Sequence, residues 1–118
     1  MIVNLSNHPF SHWSPKQKDR AISQFGEVID MSFPDILPEA DEKWISELAG
    51  NFLEEIIRIN PDAVHVQGEQ TFTYAIVKLL QKKGIPCYAS TTKRNVKSTG
   101  NGKTLRQFDF VQFRQFPD

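Results

Sequence analysis

Three polar clusters stand where short apolar runs end, and they hold residue types that bind and move charge. Ser6-Asn7-His8-Pro9 follows the run at 1–5, Gln67-Gly68-Glu69-Gln70-Thr71 follows 63–66, and Thr91-Thr92-Lys93-Arg94 follows 85–90. In the first, Ser6 gives or takes a hydrogen bond, Asn7 carries an amide donor and acceptor, and His8 is the side chain best suited to proton transfer near neutrality. In the third, two hydroxyls precede an ammonium and a guanidinium, a point charge and a bidentate fork for phosphate oxygens. The first and third clusters also have an ordinary alternative. Ser6 and Asn7 turn the chain and cap the next segment, and Thr91 to Arg94 make a solvated turn.

Joint action requires one shared edge, which depends on the elements between the clusters. Phe72, Ala75, Ile76, Leu79 and Leu80 recur at helical spacing, so a helix is expected over 71–83, closed by Gly84. Gly68 supplies the sharp reversal before it. Ser14-Pro15 is an N-cap followed by proline at the first helical position, and that helix runs to about Gln24. A second strand is expected at 27–31 and a proline-broken loop at 32–38. A long helix fed by 39–41 then carries the stripe Trp44, Ile45, Leu48, Phe52, Leu53, Ile56 and Ile57. Gly50 inside it marks an expected close contact. Residues 95–102 read as a loop or hairpin turn, and 104–116, which includes Arg114, as an edge strand. Strands alternating with helices predict a single α/β domain over 1–118, with a mostly parallel sheet, helices on both faces and a C-terminal antiparallel edge strand. Ligands of such sheets sit at the carboxyl ends of the strands, where helix N-termini offer free N–H groups.

Composition narrows the function classes. The 118 residues hold 14 basic and 14 acidic side chains, so no net charge drives binding to long nucleic acid or membrane. Charge is nevertheless segregated. Eleven acids face two bases between Glu27 and Glu69, whereas eight bases face two acids between Gln81 and Asp118; either a solvated face or selection of an anionic ligand accounts for this. Cys87 is the only cysteine, which excludes a disulfide framework and a thiolate cluster. With no His-x-x-x-His and no clustered Asp pair, no metal is expected. The opening apolar run is too short for a leader or span, so a soluble cytoplasmic protein is expected. Phe10, Trp13 and Phe116 are candidates for an exposed apolar patch or a dimer face.

The strand ending Leu5-Ser6-Asn7-His8-Pro9, the segment from Val66-Gln67-Gly68-Glu69 to Tyr74, and Tyr88 to Arg94 with a terminal Val111-Gln112-Phe113-Arg114 together give a resemblance. The chain resembles small CRISPR-associated accessory proteins of type III systems, stand-alone relatives of the CRISPR-associated Rossmann fold that include ring nucleases. It departs from the subgroup it is most similar to in carrying Gln70, Thr71 and Phe72 where small residues follow the acid. The resemblance implies a Rossmann-like domain that binds a cyclic oligoadenylate second messenger, cyclic tetra-adenylate foremost, and cleaves it without metal or other cofactor.

A ring of two-fold symmetry suits a homodimer whose isologous cleft offers each half the same groups. Metal-free cleavage uses the ribose 2′-hydroxyl as nucleophile; the protein aligns it, stabilises charge on phosphorus and protonates the departing 5′-oxygen. In this reading Lys93 and Arg94 stabilise the phosphorane, Ser6 and Asn7 position the phosphate, and His8 is acid or base. Gln67, Gly68, Glu69, Gln70, Thr71, Thr91, Thr92 and Arg114 are further ligand contacts, and Gln67, Glu69, Asn4 or Asn7 would read adenine edges or ribose hydroxyls. Two alternatives stay open: a binder that sequesters the messenger uncut, and a Rossmann-like domain for another nucleotide or a protein partner. A dinucleotide oxidoreductase is disfavoured, because no G-x-G-x-x-G occurs.

Overall fold

The computed structural model describes the backbone of residues 1–118 and all side chains except those of 97–99 and 104–106. Strand β1 (Ile2–Ser6) leads through a single 3-10 turn (Phe10–His12) into helix α1 (Pro15–Phe25), followed by β2 (Val28–Ser32), α2 (Glu42–Ile59), β3 (Ala63–Gln67), α3 (Gln70–Lys82), β4 (Cys87–Thr99) and β5 (Lys103–Gln115). Helix starts obey local chemistry. Ser14 accepts the Gln17 N–H ahead of Pro15, and Asp41 accepts the Trp44 N–H, each satisfying one of the orphan donors of a first turn.

The five strands form one sheet in the order β2-β1-β3-β4-β5. The first four are parallel, and β5 runs antiparallel to β4. This is the mostly parallel α/β sheet with an antiparallel C-terminal edge that the sequence predicts. Ser6 lies in register between Ser32 and Gln67, so the carboxyl ends of β1, β2 and β3 share an edge. Chain order reverses direction between β1 and β3, the place where open α/β sheets bind ligands.

Alternation sorts the side chains into two layers. Val3, Leu5, Val64 and Val66 join Ile45, Ala49, Ile56, Phe72, Ile76 and Leu80 in the main core, under α2 and α3. On the opposite face α1 closes a smaller aromatic cluster of Trp13, Ala21, Phe110 and Phe113, with Phe10, Phe25 and Tyr88 against it. Trp13 and Phe116 are therefore packing residues rather than an exposed patch, and Phe10 is half-buried. Among the described residues, no helix is long and apolar enough to cross a membrane.

Two expectations change. Residues 91–99 continue β4 as a ladder with β5, where a strand end and a loop are expected. The register needs only one irregularity, between Thr91 and Thr92, and β-branched and aromatic residues on both strands favour the pleat. The ladder of β4 to β3 stops at His65–Tyr88, so the rest of the hairpin is an arm without β3 beside it. It stretches the molecule to 51 × 38 × 25 Å with a radius of gyration of 16.1 Å, against about 13 Å for a compact chain of about 100 residues.

The second change concerns glycines. A Cβ on Gly68 would lie 2.5 Å from two atoms of the Phe33 ring, and its φ is not positive; clearance under an aromatic ring, rather than a special backbone angle, selects glycine there. At Gly50 a Cβ would meet nothing within 4 Å, so no close contact explains it. Gly50→Ala is therefore expected to raise stability by about 1 kcal/mol, and Gly68→Ala to lower it by about 1–3 kcal/mol by overpacking against Phe33. Urea titration reads both, and a Gly68→Ala chain that unfolds like the wild type would mean that the ring yields without cost.

Candidate functional site

Three strands each place a polar side chain on the α1 face. Asn4 and His65 are 1% and 2% exposed and lie directly opposite each other in the β1–β3 register, and Ser90 follows on β4. Burial obliges each to find partners, and they find one another. His65 Nδ1 is 2.9 Å from Asn4 Oδ1, and His65 Nε2 is 2.8 Å from the Ser90 hydroxyl. The Asn4 amide nitrogen donates to the Asp30 carboxylate and to the His8 carbonyl, both at 2.9 Å. Trp13 Nε1 donates to the same carbonyl at 3.0 Å, which folds the 7–9 loop back over the sheet edge.

This arrangement settles the imidazole. Both donor contacts of Asn4 use its nitrogen, so its oxygen must accept, and His65 carries its proton on Nδ1. Nε2 is then an acceptor and the Ser90 O–H donates to it. The Ser90 oxygen in turn accepts from Gln17 Nε2 at 2.9 Å, and the Ser90 backbone N–H donates to Gln67 Oε1 at 3.0 Å. Burial lowers the His65 pKa from 6.5 to about 4, the neighbouring Gln67 side chain offsetting part of the effect and His8 adding to it. Hydroxyl, imidazole and amide thus have the spacing of a nucleophile relay, yet an imidazole of that basicity is a poor proton acceptor at neutral pH. The chain Asp30–Asn4–His65–Ser90 fixes the orientation of each of its groups.

Ser90 and His65 form one wall of a cavity of about 420 Å³ that also takes in Ser6, His8, Gln67 and Thr92 among the sequence candidates, together with His12, Trp13, Gln17 and Phe108. Ser6 contributes little free capacity: its hydroxyl sits 2.8 Å from Asn4 Oδ1 and accepts the His8 N–H at 3.2 Å. His8 is exposed.

The other candidates lie elsewhere. Asn7 lines a smaller cleft of about 200 Å³ beside Asp30 and Met31. Gly68 and Gln70 line a cavity of about 390 Å³ on the α3 side of the sheet, with Thr73 and Phe116. The Thr91 hydroxyl is engaged with the Gln112 backbone. Lys93 and Arg94 are exposed on the arm, and strand alternation points them to opposite faces. Arg114 is exposed opposite Ala89. Asn4, a candidate reader of adenine edges, is consumed inside the network.

Glu69 takes a role that changes the electrostatics of the β3–α3 turn. Its carboxylate accepts the Thr71 N–H at 2.7 Å and the Phe72 N–H at 3.1 Å, and the Thr71 hydroxyl lies 2.7 Å from both of its oxygens. These bonds, the Thr71 backbone first, hold its pKa below the usual carboxyl value. The first-turn N–H groups expected to be open to an anion are thus capped by the protein's own carboxylate.

Sequence reading did not single out His65, Ser90, Gln17 or Asp30. The available signal was one polar residue at the centre of each of two apolar strands, Asn4 in Ile-Val-Asn-Leu and His65 in Ala-Val-His-Val, since a buried polar group demands a partner.

The low His65 pKa predicts an acid sensitivity. Between pH 6.5 and 4 the unfolded chain binds a proton that the folded chain refuses, so stability falls as pH is lowered through that window. The loss from this residue is on the order of 3 kcal/mol by the acid end. Urea midpoints from pH 7.5 to 4 measure the slope, and His65→Gln is expected to flatten it while lowering stability at neutral pH. An unchanged slope in the variant would assign it to other groups.

No curated protein matches the chain. The family model described as the uncharacterized protein MJ1673 family matches residues 1–114, which take in every element up to the last residue of β5. The chain belongs to the MJ1673 family.

Proposed function

We propose that this Rossmann-like domain, of the CRISPR-associated kind, binds a cyclic oligoadenylate of type III CRISPR signalling in a homodimer cleft. It opens the ring without metal and so switches the signal off in the cytoplasm. The observation that carries the reading is the convergence of Ser6, His8, Gln67, Ser90 and Thr92 on one cavity at the reversal between β1 and β3. Its volume of about 420 Å³ suits one nucleotide unit of a ring, and a second copy related by a two-fold axis supplies the same groups to the other half. The Thr92 hydroxyl and the Gln67 amide there hydrogen-bond ribose and base. Arg94 shares an arm face with Thr92 and pairs in register with Phe108, both of which line the cavity; it is assigned the phosphate. Lys93, on the opposite face, is assigned to the half of the ring across the axis. The 2′-hydroxyl attacks phosphorus, its proton leaves to a base, and the departing 5′-oxygen takes a proton from an acid. His8, exposed at the cavity, fills one of these roles.

A second reading, sequestration without cleavage, is favoured by the weak basicity of His65 and by the inward-facing bonds of Ser6. Incubation with labelled cyclic tri-, tetra- and hexa-adenylate in excess EDTA separates the two, with binding followed by gel shift and products by chromatography. The expected result is linear product ending in a 2′,3′-cyclic phosphate from one ring size, at a rate lowered about 10²-fold or more by His8→Ala. Intact ligand on tightly bound protein would establish the second reading, and no binding to any ring would overturn both.

A further inference from the structure

We infer that the cavity beside His65 is a nucleobase pocket that reads an amine next to a ring nitrogen, the edge of adenine, through Gln17 and Gln67. The inference rests on the nucleotide reading above for its ligand class and on hydrogen-bond accounting for its specificity. The fixed Asn4 amide sets the His65 tautomer, and the tautomer sets the Ser90 hydroxyl. That hydroxyl donates to Nε2, so its oxygen accepts from Gln17 Nε2. The Ser90 N–H holds Gln67 by its oxygen. Neither glutamine can flip without placing two acceptors or two donors against each other.

Two atoms are left over on residues that line the cavity: the Gln17 side-chain oxygen, an acceptor, and the Gln67 side-chain nitrogen, a donor. Among the described residues no hydrogen bond ends on either atom; the contact of Gln67 with His65 raises the imidazole pKa and is therefore made by the glutamine's oxygen, an acceptor. No Lys, Arg, Asp or Glu lines this cavity, whose titratable side chains are His8, His12 and His65, so it lacks the guanidinium or ammonium that ordinarily seats a phosphate. Phe108, 66% exposed at its edge, offers a face for a base to stack on. An acceptor and a donor on one cavity lining fit a heterocycle presenting the reverse. Adenine does so on both sides of its amine, toward N1 and toward N7; guanine turns its one amine toward N3 and leaves O6 and N1–H as a further acceptor and donor to be satisfied.

The place of the base also orders the ligand. With the base inside the neutral cavity, the phosphate lies outside it, toward Arg94 on the arm and away from the carboxylate that caps α3.

The test is a cycle between a ligand group and a side chain, by calorimetric titration of the full chain with AMP and with purine riboside monophosphate, which lacks the amine. In the wild type, loss of the amine is expected to weaken binding about ten-fold. In Gln17→Ala both ligands should bind equally, at the level of the amine-free ligand on the wild type. A merely structural role for Gln17 would weaken both ligands and keep the ten-fold ratio, which would overturn the inference. Gln67→Ala with 1-deaza-AMP, which lacks N1, and with 7-deaza-AMP, which lacks N7, repeats the cycle at the other atom on either side of the amine, and coupling of Gln67 to neither nitrogen would overturn its role. Cyclic tetra-adenylate in the same cell separates this inference from the messenger reading. A chain that discriminates AMP but ignores the ring keeps the base pocket and loses the messenger. A chain that binds the ring with no dependence on the amine keeps the messenger and loses the base pocket, and one that binds neither loses both.

Discussion

Two polar side chains buried side by side in the middle of a parallel sheet constrain most of this molecule. Asn4 and His65 are nearly inaccessible, and an unsatisfied buried donor or acceptor costs about 1–3 kcal/mol. Their partners come from far along the chain. Asp30 lies in the middle of β2, in register with Asn4, the His8 carbonyl on the loop after β1, and Ser90 on β4 past its last bridge to β3. One network therefore fixes the β1–β3 register, the fold-back of the first loop and the seat of α1. A slip of one residue would turn Asn4 and His65 into the apolar core and bring Leu5 and Val64 out. The two faces of the sheet differ for this reason. The α2–α3 face is a dry aliphatic core, and the α1 face is a polar chain walled by aromatic rings.

The same network explains how the sheet can open without leaving backbone groups bare. Beyond Tyr88, β4 no longer bonds to β3, and the Ser90 N–H is answered by the Gln67 side chain. That substitution lets β4 leave the sheet plane and continue with β5 as an arm. It also places Gln67 between the cavity on the α1 side and the one on the α3 side, since it lines both. A strand that stayed paired to its end would close the gap between them.

Legibility from sequence tracked the range of the interactions involved. Caps are local, and Ser14-Pro15 and Gly84 end or start their helices where spacing places them. Helical periodicity found the buried faces of α2 and α3, although Trp44 and Ile57 of the α2 stripe are partly exposed because the contact surface runs through Ile45, Ala49 and Ile56. The parallel sheet followed from strand–helix alternation. The arm did not, because Thr91-Thr92-Lys93-Arg94 has turn-like polarity and its strand character comes from a partner that follows it in sequence. The His65 network lay out of reach for a related reason: its bonds span 61 and 25 residues. The contact between Gly68 and Phe33 is likewise tertiary, and the local reading of a flexible turn gave way to it. Glu69 stands out in sequence as an acid at a strand end, but an acid one residue before a helix is first a cap, and the structure uses it so.

That cap decides where an anion can go. In open α/β sheets the N-terminus of the helix after a central strand is the ordinary phosphate seat, because free N–H groups and the helix dipole both favour negative charge. Here the Glu69 carboxylate occupies the first turn of α3, and a phosphate brought there would meet a like charge and no free donors on Thr71 or Phe72. Lys93 and Arg94 on the arm and Arg114 on β5 are among the exposed cations of the C-terminal third that an anion can meet instead. Under the nucleotide reading proposed above, the ligand would therefore lie reversed relative to the usual arrangement, with its base in the crevice at the reversal between β1 and β3 and its phosphate out along the arm.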